Sequence, residues 1–168
     1  YNHSYDDLWY DEVISFWVAD PSLKFQDTIQ LNQLIDINTP LYPYILKIFF
    51  SIFGYSVENG RLFSVILGSL SIFSVSYLSW VVAKNNSYLL TLFLISFNIY
   101  LISFSQEIRV YSLLFFTSSI FLILFLKIFK EQKNYFLLAI YFLSSIFLVA
   151  LHPCALIVFF SSIIYLLI

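Results

Sequence analysis

The chain has 168 residues, of which 61% are hydrophobic and only 11% are charged. Soluble domains carry roughly a quarter charged residues, so this composition excludes an ordinary soluble domain, a disordered chain and a nucleic-acid-binding protein. The sequence therefore predicts an all-α protein, a polytopic helical bundle in a membrane. The chain has no methionine, and its last six residues are still apolar, so we expect it to be part of a longer protein.

Charge divides the chain into an acidic first part and an apolar second part. Residues 1–61 carry eight acidic and three basic side chains, whereas residues 62–168 carry two acidic and five basic ones. A membrane span needs roughly 20 mostly apolar residues, and such runs occur only in the second part. Residues 1–61 are therefore expected to form an extracytoplasmic first loop that carries interfacial helices.

Within this loop, residues 40–53 are predicted to form a juxtamembrane helix. Thr39 suits the N-cap, and Pro40 suits the first helical position. Apolar side chains then recur at helical spacing on one face: Ile45, Phe49, Ile52 and Phe53. A helix of this length measures about 20 Å, which is shorter than the ~30 Å hydrocarbon core. It is therefore expected to lie along the membrane surface.

Five transmembrane helices are predicted after this segment. Charged residues bound the apolar runs, and His152-Pro153 divides the longest run because proline interrupts helices. The predicted spans are residues 62–83, 88–106, 110–128, 135–151 and 154–168, the last one truncated.

The predicted topology gathers polar groups on the outer side of the membrane. The lysines of the loops between spans fall on one side, which the positive-inside rule assigns to the cytoplasm. The polar positions expected on the opposite side are Asp11, Glu12, Asn38, Lys47, Glu58, Arg61, residues 105–111 and His152. Arginine's planar fork suits phosphate, and a carboxylate can accept a proton from an attacking hydroxyl. Together these groups predict transfer chemistry on a phosphate-bearing lipid.

Each of these residues also has a plain structural interpretation. Arg61 and Arg109 could be helix-end anchors that reach lipid headgroups. Asp11-Glu12 could be ordinary helix-start acids, and His152 could be a polar residue at an interfacial turn. The sequence contains no metal-ligand spacing and no glycine-rich phosphate loop, so neither a metal nor another cofactor is expected.

Five motifs occur in an order and spacing that resemble one known family. LWYDE at residues 8–12 is similar to its Asp-Glu motif, and NTPLYPY at residues 38–44 is similar to its Thr-Pro-Pro-Leu-Tyr-Tyr segment. FGYSVENGRLFS at residues 53–64 resembles the start of its next helix. SQEIRVYS at residues 105–112 matches its Ser-Gln-Glu-x-Arg-x-Tyr-Ser block, and Leu151-His152 resembles a histidine that it often carries. The family is that of the GT-C-fold membrane glycosyltransferases of the protein mannosyltransferase and aminoarabinose transferase type.

The resemblance implies an inverting glycosyltransferase at the outer face of a bacterial plasma membrane. Its donor would be a polyprenyl-phosphate-linked sugar, its acceptor a protein, lipid or glycan, and its surroundings membrane lipid. The residues carried over are Asp11 and Glu12 as catalytic; Arg61, Glu107, Arg109, Tyr111 and His152 as donor-binding; and Asn38, Tyr42 and Lys47 as acceptor-binding or interfacial. The sequence departs from the family pattern at Leu41, where the second proline is usual.

Two other function classes remain open at this point. A transporter or flippase of a lipid-linked anion could use the same arginines, although transporters tend to carry polar or broken helices at mid-membrane. The predicted spans 62–83 and 88–106 hold only scattered small polar residues and no charge, which weighs against this class. A non-catalytic membrane scaffold would tolerate alanine at Asp11, Arg61 and Arg109.

Overall fold

The computed structural model describes residues 8–35, 39–130 and 134–167. Within these ranges the protein is all-helical and contains no β-strand, so the all-α prediction is confirmed for this part of the chain. The helices are α1 (Tyr10–Val18), α2 (Phe25–Ile35), α3 (Leu41–Phe53), α4 (Val57–Ala83), α5 (Ser87–Ser96), α6 (Ile99–Ser105), α7 (Tyr111–Lys130), α8 (Tyr135–Leu151) and α9 (Ala155–Leu167).

One hydrophobic core joins α1 and α3 to the rest of the molecule. Leu46 and Phe50 of α3 are fully buried in it, together with Ile108 from the turn between α6 and α7 and Leu151 at the end of α8. Burying such side chains stabilises the fold by about 1.5–3 kcal/mol each. This core, which we call the outer core, fixes α3 beside the start of α4 and the turn at residues 106–110.

The remaining helices pack around α4, the longest of the described helices. α4 contacts α5, α6 and α7, and α7 contacts α8 and α9. A second core lies around Phe121, Leu148 and Ala155. The hydroxyl groups of Ser74 on α4 and Ser119 on α7 hydrogen-bond at 2.5 Å, and hydroxyl contacts of this kind help to hold apolar helices together in lipid.

Two of the described helices, Val57–Ala83 and the segment Tyr111–Phe129, are long and apolar enough to cross a membrane. The helices Ser87–Ser96 and Ile99–Ser105 form a bent pair, which is a third candidate span if the two helices cross the membrane together. α3, α8 and α9 are shorter apolar helices. This apolar helix content is what a membrane protein requires.

The structure differs from the predicted span at residues 88–106. The sequence predicts one helix there, whereas the chain forms α5 and α6, bent by 58°. The Asn98 side chain accepts a hydrogen bond from the backbone N–H of Leu101 at 3.0 Å and so caps a new helix. Asparagine competes with the helical backbone in this way, and the break follows from it.

The start of α4 also lies earlier than the predicted residue 62. Ser56 is the N-cap, and its hydroxyl accepts the N–H of Asn59 at 3.2 Å. The helix therefore begins at Val57 and includes Arg61. The sequence prediction placed the boundary at a charged residue, but a charged side chain in the first turns, such as Arg61 with its partner Glu12, does not interrupt a helix.

Candidate functional site

Glu12 of α1 is a buried carboxylate that connects three parts of the molecule. Its side chain is 1% exposed and pairs with Arg61 of α4, with Oε2 3.1 Å from Nη2. Oε1 also accepts the backbone N–H of Ile108 at 2.8 Å, and Oε2 accepts the N–H of Trp9 at 3.4 Å. Buried charges are tolerated when they are paired and hydrogen-bonded in this way. Glu12 therefore holds α1, α4 and the turn at 106–110 in register.

The neighbouring acid, Asp11, lies on the accessible side of the same helix. Its carboxylate is 61% exposed, and Oδ2 lies 3.1 Å from Nη2 of Arg109. The other terminal nitrogen of Arg109, Nη1, donates to the backbone carbonyl oxygen of Asp11 at 3.2 Å. The structure thus brings together four of the predicted site residues as two separate acid–arginine pairs.

An open cavity of about 930 Å³ lies beside these pairs and is called the polar cleft here. Its lining includes Glu12, Arg61, Ser103, Gln106 and Glu107. Trp9 and Tyr10 also line it, as do the apolar Leu8 and Val65. A volume of this size falls within the range of small-ligand sites, about 300–1,000 Å³. Asp11 is not among the lining residues, although both of its chain neighbours are.

Glu107 faces this cleft without forming an ion pair within the described part of the chain. The hydroxyl of Ser103, one helical turn earlier, donates to its Oε1 at 3.4 Å. The Arg109 side chain pairs with Asp11 and not with Glu107. The link between the two residues is a backbone hydrogen bond, from the N–H of Arg109 to the carbonyl oxygen of Glu107.

A second cavity, the apolar cleft, lies next to the bend between α5 and α6. It measures about 600 Å³, and its lining includes Val75, Asn98, Leu101, Tyr111 and Val158. The guanidinium carbon of Arg109 lies 5.7 Å from the centroid of the Tyr111 ring. Arg109 therefore lies between residues that line the apolar cleft and the α1 segment that lines the polar cleft.

His152 ends α8, next to the predicted donor-binding residue Tyr111. The centroids of the two rings are 6.2 Å apart, and His152 Nδ1 accepts the backbone N–H of Cys154 at 3.0 Å. Thr39 donates to the carbonyl oxygens of Ala150 and Leu151 just before it. These contacts give His152 a role in shaping the turn between α8 and α9.

Lys47, predicted to be acceptor-binding or interfacial, is not among the residues that line either cleft. Its Nζ is buried and donates to the carbonyl oxygens of Asp20 at 2.9 Å and Leu23 at 2.5 Å, and to the Thr28 hydroxyl at 3.1 Å. Burial lowers the pKa of Lys47, and the charges of Asp20 and Asp27 oppose this effect. The amine fastens the loop between α1 and α2 to α3.

Tyr42 and Asn38 complete the predicted acceptor set. The hydroxyls of Tyr42 and of Ser64 on α4 are buried, and neither has a hydrogen-bond partner among the described residues. Burial raises the pKa of Tyr42 well above its usual range, so the phenol stays neutral. Asn38 lies outside the described residues.

Three of the residues that line the polar cleft were not predicted from the sequence: Trp9, Tyr10 and Ser103. The sequence offers no clear signal for Ser103, because Glu107, whose carboxylate its hydroxyl contacts, lies beyond the end of α6 at Ser105. In the part of the chain described here, no group of three or more His, Cys, Asp or Glu residues comes together as a metal site.

Comparison with known proteins does not identify a family for the chain. No family model matches the chain, and neither a curated protein nor a solved structure matches it. The resemblance to the GT-C-fold glycosyltransferases therefore stays a prediction.

Proposed function

We propose that this protein is a polytopic membrane glycosyltransferase of the GT-C type that uses a polyprenyl-phosphate-linked sugar. The observation that carries this proposal is the position of Arg109. Its guanidinium lies over Tyr111, which lines the apolar cleft, and it pairs with Asp11, whose neighbours line the polar cleft. A polyprenyl-phosphate sugar has an apolar chain, an anionic phosphate and a polar sugar, and it needs a site where an apolar and a polar cleft meet at a cation. Its phosphate would bind Arg109, its chain would lie in the apolar cleft and its sugar would lie in the polar cleft.

In this proposal α4, the bent pair α5–α6, α7 and α8 cross the plasma membrane of a bacterium. α3 lies along the outer surface, because its 13 residues measure about 20 Å and cannot cross a ~30 Å core. The exposed Ile48, Ile52 and Phe53 on α3 are apolar groups that a lipid surface would cover. The loops with lysines face the cytoplasm.

The proposed reaction is a single displacement at the anomeric carbon of the sugar. The Asp11 carboxylate accepts the proton of the acceptor hydroxyl, whose oxygen attacks the anomeric carbon from the face opposite the phosphate. The bond between that carbon and the phosphate oxygen breaks, and the phosphate leaves with its electron pair, so the configuration inverts. Arg109 stabilises the charge that develops on the leaving phosphate.

Glu12 is a positioning residue in this mechanism rather than a catalytic one. Its two carboxylate oxygens are already occupied by Arg61, Ile108 and Trp9, so it has little capacity to take a proton from substrate. Glu107 and Gln106 line the polar cleft and offer acceptors and donors to sugar hydroxyl groups.

The experiment that tests this proposal follows consumption of the donor and needs no knowledge of the acceptor. Membranes containing the complete protein are supplied with radiolabelled polyprenyl-phosphate sugars, and released polyprenyl phosphate is measured. Asp11→Asn is expected to slow release at least about a hundredfold, the contribution typical of a general base, at unchanged protein level. Asp27→Asn, which removes an exposed acid of α2, is the matched control.

Two results would overturn the proposal. If Asp11→Asn releases polyprenyl phosphate at the wild-type rate, Asp11 is not the base. If membranes with the wild-type protein release no more than membranes without it, for any of the sugars offered, the protein is not a transferase for such donors.

A second candidate function is transport of a lipid-linked anion, and the bend between α5 and α6 favours it. Broken helices are common at the binding sites of transporters, and Asn98 at this bend lines the apolar cleft. A transporter moves a fluorescent prenyl phosphate between the leaflets of a liposome and leaves it intact. Movement without consumption would favour transport, and consumption without movement would favour transfer.

A further inference from the structure

The two arginines that pair with the acids of α1 are held by different numbers of hydrogen bonds. Arg61 binds both oxygens of the buried Glu12 through Nε at 3.4 Å and Nη2 at 3.1 Å. Arg109 meets the Asp11 carboxylate through one hydrogen bond, at 3.1 Å. Ion pairs that are open to solvent contribute only about 0.2–1 kcal/mol. The Asp11–Arg109 pair is therefore the one that a solute can open.

We propose that Arg109 is an anion-binding site whose resting occupant is the Asp11 carboxylate, and that a phosphate oxyanion displaces this carboxylate on binding. The inference rests on the proposed function for the identity of the phosphate, which would be that of the lipid-linked donor. A phosphate offers more acceptor oxygens than a carboxylate and can engage the guanidinium in a bidentate manner.

The guanidinium group has other contacts that remain when the carboxylate leaves. Nη1 donates to the backbone carbonyl oxygen of Asp11 at 3.2 Å, and the cation lies over the ring of Tyr111. Neither contact uses the Asp11 side chain. The Arg109 side chain is also only 13% exposed, so the binding position is formed before the anion arrives.

Displacement would couple the two halves of the proposed reaction. In the resting protein Oδ2 of Asp11 is engaged in the ion pair with Arg109. When phosphate takes over the cation, this oxygen is released beside the cleft and can accept a hydrogen bond from the acceptor hydroxyl. The base is then available only when the donor is bound.

The decisive experiment is a binding measurement in which removal of the acid strengthens anion binding. The complete protein, purified in a polyoxyethylene detergent that carries neither phosphate nor sugar, is titrated with inorganic pyrophosphate and, separately, with farnesyl phosphate. Asp11→Asn is expected to bind about two- to fivefold more tightly than wild type, the factor that an exposed ion pair contributes. Asp27→Asn removes the same charge elsewhere and is expected to leave the affinity unchanged.

The arms of the experiment separate this inference from the proposed function. A gain that is absent from the Asp11→Asn/Arg109→Ala double variant supports displacement at Arg109. A gain for pyrophosphate alone supports displacement and contradicts the lipid-linked donor, whereas a gain for farnesyl phosphate supports both. If Asp11→Asn binds neither probe more tightly than wild type, or if Asp27→Asn gives the same gain, the displacement proposal is wrong.

Discussion

Asp11 and Glu12 are neighbours in sequence, and each pairs with an arginine at 3.1 Å, yet their surroundings differ completely. Successive helical residues point about 100° apart, so Glu12 faces the outer core while Asp11 faces outward. The buried acid is enclosed by four donors from three parts of the chain. The exposed acid has one side-chain partner among the described residues. The Glu12–Arg61 pair therefore stabilises the fold, whereas the Asp11–Arg109 pair is a contact that another anion can replace.

The largest expected effect comes from breaking the buried pair with Glu12→Gln. Removing one partner of such a pair leaves an uncompensated charge and costs about 3–5 kcal/mol; because Arg61 is 24% exposed, we expect about 3 kcal/mol. Thermal unfolding of the purified protein, followed by circular dichroism, measures the change against Asp27→Asn. A midpoint equal to that of the control would contradict the architectural role of Glu12.

The second prediction concerns the close packing that places the backbone of residue 108 beside Glu12. A Cβ atom at Gly60 would lie 2.7 Å from Cδ1 of Ile108 and 3.1 Å from Cζ of Phe50. Both neighbours are buried in the outer core. Overpacking of this kind costs about 1–3 kcal/mol, so Gly60→Ala is expected to lose about 2 kcal/mol of stability.

The matched variant for this prediction is Gly60→Ala combined with Ile108→Val. Valine lacks the Cδ1 atom that would clash, so the double variant is expected to be more stable than Gly60→Ala alone, as measured by the same unfolding assay. Equal or lower stability of the double variant would mean that Ile108 does not limit the space at Gly60.

The two acid–arginine pairs also show how much of this site could be predicted from the sequence. The spacing of motifs indicated that Asp11, Glu12, Arg61 and Arg109 belong to one polar cluster, and the structure brings all four together. It could not indicate which acid is buried, because that depends on the direction from which α4 and the 106–110 turn approach α1. Only the three-dimensional structure identifies Glu12 as the buried acid, because it shows the backbone N–H of Ile108 donating to its carboxylate.

The helices illustrate a similar limit. A 13-residue helix at Leu41–Phe53 agrees with the segment expected from its apolar spacing. The predicted cap is wrong, because Pro40 is the N-cap and the Thr39 hydroxyl instead donates to the carbonyl oxygens of Ala150 and Leu151. The break at Asn98 was missed because neither proline nor glycine marks it, and a single asparagine in an apolar run is a weak signal. The surroundings of Lys47 also lay beyond the sequence, because the backbone carbonyl groups that accept hydrogen bonds from it are not revealed by any sequence pattern.

The third prediction extends the comparison to this buried cation. Lys47→Met removes the donor for two carbonyl groups and the buried Thr28 hydroxyl, and unsatisfied groups of this kind cost about 1–3 kcal/mol. We expect a loss near the lower end, about 1–2 kcal/mol, because water can still reach the loop. Unfolding by chemical denaturant, with Lys24→Met as an exposed control, measures this loss.

The pH dependence of the same variant has a definite sign. Because burial lowers the pKa of Lys47 in the folded protein, the unfolded chain binds the proton more readily between that lowered value and the ordinary 10.5. Stability contributed by this group therefore rises with pH through that window. The advantage of wild type over Lys47→Met is expected to grow as the pH approaches 10.5. An advantage that shrinks would contradict the direction of the pKa change.

The smallest expected effect on stability is that of Asp11→Asn, and it sharpens the comparison most. The variant loses one ion pair whose acid is 61% exposed, and such a pair contributes less than about 1 kcal/mol. Arg109 keeps its contacts with the Asp11 carbonyl group and the Tyr111 ring. Its unfolding midpoint is expected to lie close to that of Asp27→Asn and well above that of Glu12→Gln. A loss as large as that of Glu12→Gln would mean that both acids are architectural. Asp11 would then be held as tightly as Glu12. Neither carboxylate could then be displaced by an anion or accept a proton from a substrate.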